Sequence, residues 1–372
     1  MIYYNCHTHI FSAQYVPNNV VGVPIMNILA TDPVSKRLTK FFSRLRYGAV
    51  NSELERVAKF AEIGLGTKQE VIFNMLEDYY KGWGNVRFVA LLMDMEQMGA
   101  GRPMANYKTQ LDEIIRLRTR GHYKDRLLPF IFVDPRRPEF TNGQKVLDWT
   151  KRYFDEYGFV GIKMYPALGY YPFDEKLDLL YKWAQEKFIP ITYHCIEGVI
   201  YYRGDLKSLS PPRFKNNFHD LSIAKNEKYQ RNFTEPENYV KVLEMFPELK
   251  INLGHFAGED EIKKNGEWYK TVKRLITENK NVYADVSFTL NDVATHAKIH
   301  ADINTPLLGD KILFGTDYYV VEKNKDEAML RDELRNKLND LDLASGKAVD
   351  TSFNRIAAYN PIPFLSSAYY KA

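Results

Sequence analysis

Cysteine is nearly absent. The 372-residue chain has two, Cys6 and Cys195, and no C-x-x-C. That excludes a disulfide framework, a thiolate zinc site and a thioredoxin-like motif. Each cysteine stands beside a histidine, and strand alternation puts it on the opposite face, as a small buried apolar residue. Long apolar runs are also missing. None reaches the ~18 residues of a membrane span, so no membrane partner is expected. No charged N-terminal segment leads into an apolar core and cleavage site, and the expectation is a cytoplasmic protein. No G-x-G-x-x-G follows the first strand-like run, which counts against a dinucleotide-binding fold. Net charge is only +4, without long basic blocks. The most basic stretch, "SKRLTKFFSRLRYG" (35–48), reads as an amphipathic helix with Leu38, Phe41, Phe42 and Leu45 on one stripe. It is no case for a nucleic-acid partner. A small-molecule substrate is expected, and a homo-oligomer is left open.

What is present is a regular alternation. Strand-like runs lie at 2–7, 86–95, 126–135, 159–166, 189–195, 250–256, 282–288 and 311–317. Helix-like runs follow them at 107–121, 143–157, 175–187, 235–246, 267–279, near 291–303 and at 325–338. Eight β-then-α units in order predict an α/β protein, a closed (β/α)8 TIM barrel. A long insertion at 12–84 follows strand one, with helices near 33–46, 51–63 and 67–81. A polar insertion at 199–233 follows strand five and reads as a lid. No linker or repeat is visible, so 1–372 reads as a single domain. The aromatic share, 14%, is high, with 26 tyrosines.

Catalytic groups in such a barrel come from the C-terminal strand ends. Strand one ends in "HTH", placing His7 and His9 on one face. An H-x-H alone is a weak motif. Strand four carries Lys163, strand five ends in His194, strand six in His255 and strand eight in Asp317. Strand alternation points Lys163, His194 and Asp317 inward. Strands two, three and seven offer Asp94, Asp134 with Arg136 and Arg137, and Asp285 with Ser287. Imidazole and carboxylate ligands converging on one barrel end suit one or two divalent ions, Zn²⁺ foremost, with Mn²⁺, Fe²⁺ or Ni²⁺ also fitting. Asp317 is then placed to accept a proton from a metal-activated water, and His255 to ligate a second ion or to stabilise an oxyanion. Arg137, Tyr165 and Arg203 are candidate substrate contacts. His122, His219, His296 and His300 read as surface or structural residues.

The order H-x-H, Lys, His, His, Asp resembles the amidohydrolase superfamily of metal-dependent hydrolases. "GIKMYPA" (161–167) resembles the strand-four segment of dihydroorotase-type members. That resemblance implies a carboxylated Lys163 bridging two metals, with His255 on the second. The tail "SFNRIAAYNPIPFL" (352–365) is similar to the closing helix of the amidohydrolase-related branch, which includes aminocarboxymuconate-semialdehyde decarboxylase. That resemblance implies one metal on His7, His9, His194 and Asp317, with His255 in catalysis. The expected activity is hydrolysis of a C–N or C–O bond in a small polar amide, lactam or lactone. The alternatives are a non-oxidative decarboxylase of the same fold and a metal-containing binding protein without turnover.

Overall fold

The computed structural model describes residues 1–20, 60, 63–64, 67–198, 200–209, 213–214, 225–320 and 325–372. The expected helix near 33–46 and most of that at 51–63 lie outside these residues, as does His219.

Eight parallel strands form one sheet in sequence order: β1 (Ile2–Thr8), β2 (Asn85–Leu91), β3 (Leu127–Phe132), β4 (Gly161–Met164), β5 (Ile191–His194), β6 (Ile251–Gly254), β7 (Val282–Asp285) and β8 (Ile312–Leu313). Backbone bonds join the last strand's extension to the first. Cys6 N donates to Phe314 O at 2.8 Å and His9 N to Tyr318 O at 2.7 Å. The result is a TIM barrel, as the alternation of elements requires.

Local chemistry sets the helix ends. Asn142 caps the helix Gly143–Tyr157 by accepting from Lys145 N, and Gly158, at φ 71°, ends it in the left-handed conformation. Val146, Thr150 and Phe154 are its buried stripe. The expected helix at 67–81 is present as Gln69–Tyr79. The expected closing helix is broken into Thr351–Asn354, a π-turn at Arg355–Tyr359 and Pro361–Leu365. The proline supplies no amide donor to continue the ladder. Phe364 and Leu365 pack on Tyr283 and Tyr4 among the barrel's interior residues.

Two corrections concern the strands. β8 is shorter than 311–317, because Asp317 takes φ 61° and leaves the ladder. Its amide donates to His7 O at 2.8 Å instead. In β1 the register shifts between Asn5 and Thr8. Before the shift, Asn5 points to the helix layer and bonds Tyr80 and Glu327, while Tyr4 and Cys6 pack with Val89, Phe130 and Leu313. Cys6 is therefore an interior residue, not one behind the site. The bulge turns His7 inward as well. Among the described residues no helix is long and apolar enough to cross a membrane.

Candidate metal centre

His7 is fully buried at the end of β1. Its Nδ1 donates to Asp285 Oδ2 at 2.9 Å. Small neighbours make the space: a Cβ on Gly315 would sit 2.7 Å from His7 Cβ, and one on Gly254 would sit 3.1 Å from His7 Cε1. His9 Nδ1 donates to Leu91 O at 2.8 Å. Carboxylate and carbonyl oxygens only accept, so both imidazoles carry their proton on Nδ1 when neutral, and Nε2 is bare.

Both bare nitrogens face Asp317. Its Oδ1 lies 3.4 Å from His7 Nε2 and 3.1 Å from His9 Nε2. Burial opposes ionisation of Asp317, but the imidazoles of His9, His7 and His255 that surround it outweigh it and hold its carboxyl low, at about 2. Burial pushes the His9 imidazole down, against Asp317. Lone pairs on three buried groups thus converge with no proton between the neutral forms. A cation is what such a cluster lacks.

His255 follows β6. Its φ of 69° places the side chain at the barrel mouth although Asn252 and Gly254 hold the inward phase of the strand. A chain of bonds links it to both sides. Ser287 Oγ makes a short bond to Asp285 Oδ1, a carboxylate that only accepts. Ser287 Oγ, 2.9 Å from His255 Nδ1, therefore accepts from that nitrogen. His255 Nε2, 3.0 Å from His194 Nδ1, then accepts in turn. The chain leaves His194 Nε2 bare, and that atom is buried without a partner among the described residues. Burial, with the charge of His7, holds the His255 imidazole down at about 3. Burial likewise holds His194 well below its ordinary value.

Asp285 is the hub of this chain. It accepts from His7 Nδ1, from Asn252 Nδ2 at 2.6 Å, from the amides of His255 and Ser287 at 3.2 and 3.1 Å, and from Ser287 Oγ. Burial raises its carboxyl, but His7 and these bonds carry it far below the usual carboxylate range. Asn252 escaped the sequence reading. Its inward phase on β6, two residues before Gly254, was the available signal.

Ligand atoms of His7, His255 and Asp317 all lie within 4.8 Å of one another. With the His255 nitrogens bonded to Ser287 and His194, it is His7, His9, His194 and Asp317 that fit a divalent cation, since His7 Nε2, His194 Nε2 and Asp317 Oδ1 are buried without a hydrogen-bond partner among the described residues. Lys163 is fully buried on β4, with Nζ likewise unpartnered. Tyr165 stacks on His194 with ring centroids 3.8 Å apart.

The two arginines have protein partners of their own. Arg137 is bound to Asp94 by a short ion pair, to Glu96 at 3.3 Å and to Glu139 at 2.7 Å. Arg203 lies over the Tyr201 ring at 3.8 Å and bonds Val20 O at 3.2 Å. Through these partners both act as braces in the structure. The lid's described part does cover the C-terminal loops: Tyr202 N donates to Ala167 O at 2.8 Å and Arg203 N to Met98 O at 2.7 Å. His300 bonds Asp342 and His122 bonds Glu77, as structural residues do.

A sequence model of the amidohydrolase family matches residues 78–344. The chain belongs to the amidohydrolase family. No curated protein sequence matches it. Solved structures show the same fold for this amidohydrolase. One is a TIM-barrel protein from Bordetella bronchiseptica, at 14% identity and TM-score 0.55 over 98% of both chains. Another is a 5-carboxyvanillate decarboxylase from Novosphingobium aromaticivorans, solved with manganese, at 15% identity and TM-score 0.55 over 98% of this chain and 97% of that one. A third bears the name of a probable 2-pyrone-4,6-dicarboxylic acid hydrolase from Acinetobacter baumannii, at 12% identity and TM-score 0.51 over 98% and 99%.

Proposed function

We propose that this amidohydrolase is a metal-dependent, non-oxidative decarboxylase of a small planar acid. The observation that carries this reading is the burial of the whole His/His/Asp cluster beneath aromatic rings. Tyr165 stacks on His194, Phe11 lies edge-on to His9 at 5.3 Å, and Phe288 lies edge-on to His255 at 5.7 Å. Such walls suit a flat ring and exclude water, which favours loss of neutral CO2 from a charged carboxylate over attack by water. The manganese decarboxylase of the same fold supports it.

His7, His9, His194 and Asp317 would hold the cation, Mn²⁺ or Zn²⁺. When bound, that ion supplies Lewis-acid stabilisation of charge developing on the substrate. Asp317 enters the reaction ionised. It becomes an acid only by taking a proton from the substrate, which requires a hydroxyl near the departing carboxylate. The C–C bond then breaks, its electron pair stays on the substrate carbon, CO2 leaves, and the Asp317 proton moves to that carbon. The hydroxyl oxygen regains a proton from solvent. His255, neutral and tied to Ser287 and His194, orients the cluster without titrating.

Hydrolysis remains the other activity of the fold. Manganese-loaded protein assayed in D2O against hydroxybenzoic acids, and separately against lactones and amides, distinguishes them. Decarboxylation gives CO2 and a product with one solvent deuteron on carbon. Acid release from lactones or amides with no CO2 from any acid overturns the reading.

A further inference from the structure

Asn5 is fully buried two positions before His7 and takes no part in that scheme. It stands where the register of β1 breaks. Its Oδ1 accepts from two main-chain amides, His7 N at 3.3 Å and Thr316 N at 3.2 Å. The first belongs to a metal ligand and the second to the residue before one, Asp317. The His7 carbonyl completes the join, accepting from Thr316 N at 3.3 Å and from Asp317 N at 2.8 Å. One side-chain oxygen therefore ties the end of β1 to the chain after β8. These are the two segments whose side chains approach to 3.4 Å at His7 Nε2 and Asp317 Oδ1.

The other half of the Asn5 amide fixes which way round it stands. Nδ2 lies 2.8 Å from Thr316 Oγ1, 3.0 Å from Tyr80 OH and 3.1 Å from Glu327 Oε1. A main-chain N–H only donates, so the reversed side chain would set its NH2 against two donors and its oxygen against the acceptor Glu327 Oε1. Tyr80 follows the helix Gln69–Tyr79, and Glu327 opens the helix Glu327–Ala344. Elements outside the barrel thus reach in to hold one residue of its first strand. Asn5, Tyr80, Thr316 and Glu327 are all buried, none exposed by more than 2%.

We infer that Asn5 is a positioning residue of the metal centre: its side-chain amide sets the spacing of His7 and Asp317 by holding their two chain segments together, and Tyr80 and Glu327 hold that amide in turn. This rests on the metal centre proposed for the chain, not on the reaction assigned to it. A metal–ligand bond tolerates a displacement of only about 0.2 Å. Loss of the Asn5 acceptor leaves two buried amides to seek other partners, and the main chain carries the ligand side chains with them.

Three measurements on one set of variants test this: manganese affinity by chelator competition, the Mn²⁺ EPR spectrum of the loaded protein, and the Tm of the metal-free protein. Asn5→Ala is expected to lose about 10- to 100-fold in manganese affinity and to change the EPR spectrum. The double variant Asn5→Asp/Glu327→Gln exchanges acid and amide. It keeps an acceptor for the two main-chain amides and a donor facing it from position 327. Its affinity is expected within about threefold of wild type, with the wild-type spectrum. If Asn5→Ala does not fold, Asn5→Ser is measured in its place with the same expectation, since its shorter side chain reaches only its own strand. A fall in Tm alone, with wild-type affinity and spectrum in the single variant, overturns the inference, because Asn5 would then support the fold and not the centre. A folded double variant that binds no tighter than the single variant overturns it too. Failure of the metal centre itself shows separately, as a wild type that takes up no manganese, and the inference falls with it.

Discussion

His7 Nδ1 donates to Asp285 Oδ2 at 2.9 Å, and this bond decides which nitrogen of His7 faces the cluster. Asp285 sits on β7, far from His7 in sequence, and among the described residues it bonds none of the other bare ligand atoms. Its effect on a metal is exerted through the imidazole. Asp285→Asn replaces an acceptor oxygen by a donor amide and removes the charge. It is expected to weaken manganese affinity about 10- to 100-fold, read by competition with a fluorescent chelator. Unchanged affinity in a folded variant would mean that His7 is positioned by packing alone.

Ser287 passes the same orientation to His255 and His194. Ser287→Ala removes the acceptor for His255 Nδ1 and frees the ring to change tautomer. The ¹⁵N shifts of His255 and His194 are expected to move, with kcat falling and KM nearly constant. Ser287→Thr keeps the hydroxyl and is expected to restore both. Wild-type shifts in the alanine variant would remove Ser287 from the chain.

Gly315 shows how tightly the site is enclosed. A Cβ there would lie 2.7 Å from His7 Cβ, so Gly315→Ala must displace His7. A cost of about 1–3 kcal/mol in stability is expected, with metal binding lost more steeply than fold. Thermal melts with and without manganese measure both: the metal-induced rise in Tm is expected to shrink.

Behind the site, Glu327 Oε1 accepts from Asn5 Nδ2 at 3.1 Å, Tyr80 OH at 2.6 Å and Thr316 Oγ1 at 2.9 Å, while Oε2 has no partner. Burial raises its carboxyl from 4.5 to about 7. The folded state therefore keeps a proton that the unfolded state releases between these values. This contribution to stability is complete below about pH 4.5 and is lost as pH rises through about 7, by roughly 3 kcal/mol. Relative to Glu327→Gln, wild type is expected to lose stability over that interval in urea titrations. A constant difference would show that Glu327 titrates normally.

The barrel was legible because its signal is repeated. Eight apolar runs alternate with amphipathic helices, and all eight strands form at the expected stretches, β1 and β2 each running one residue past them. His194 and Asp317 were legible because alternation from Thr192 and Gly315 fixes their phase. His7 was found for an incomplete reason: its motif was right, but a bulge after Asn5 delivers it inward. The ion pairs of Arg137 with Asp94 and Glu96 were not legible, because those partners lie past the end of another strand and pairing between strands leaves no mark in local sequence. The Asp285–Ser287–His255–His194 chain and the Glu327 network join distant segments, so only their ends were visible as candidates.

Anomalous diffraction at the manganese edge, from crystals of the metal-loaded protein, tests the centre most directly. One strong peak is expected within bonding distance of His7 Nε2, His9 Nε2, His194 Nε2 and Asp317 Oδ1. A fully loaded protein whose peak lies away from these atoms would contradict the metal centre and the decarboxylase built on it.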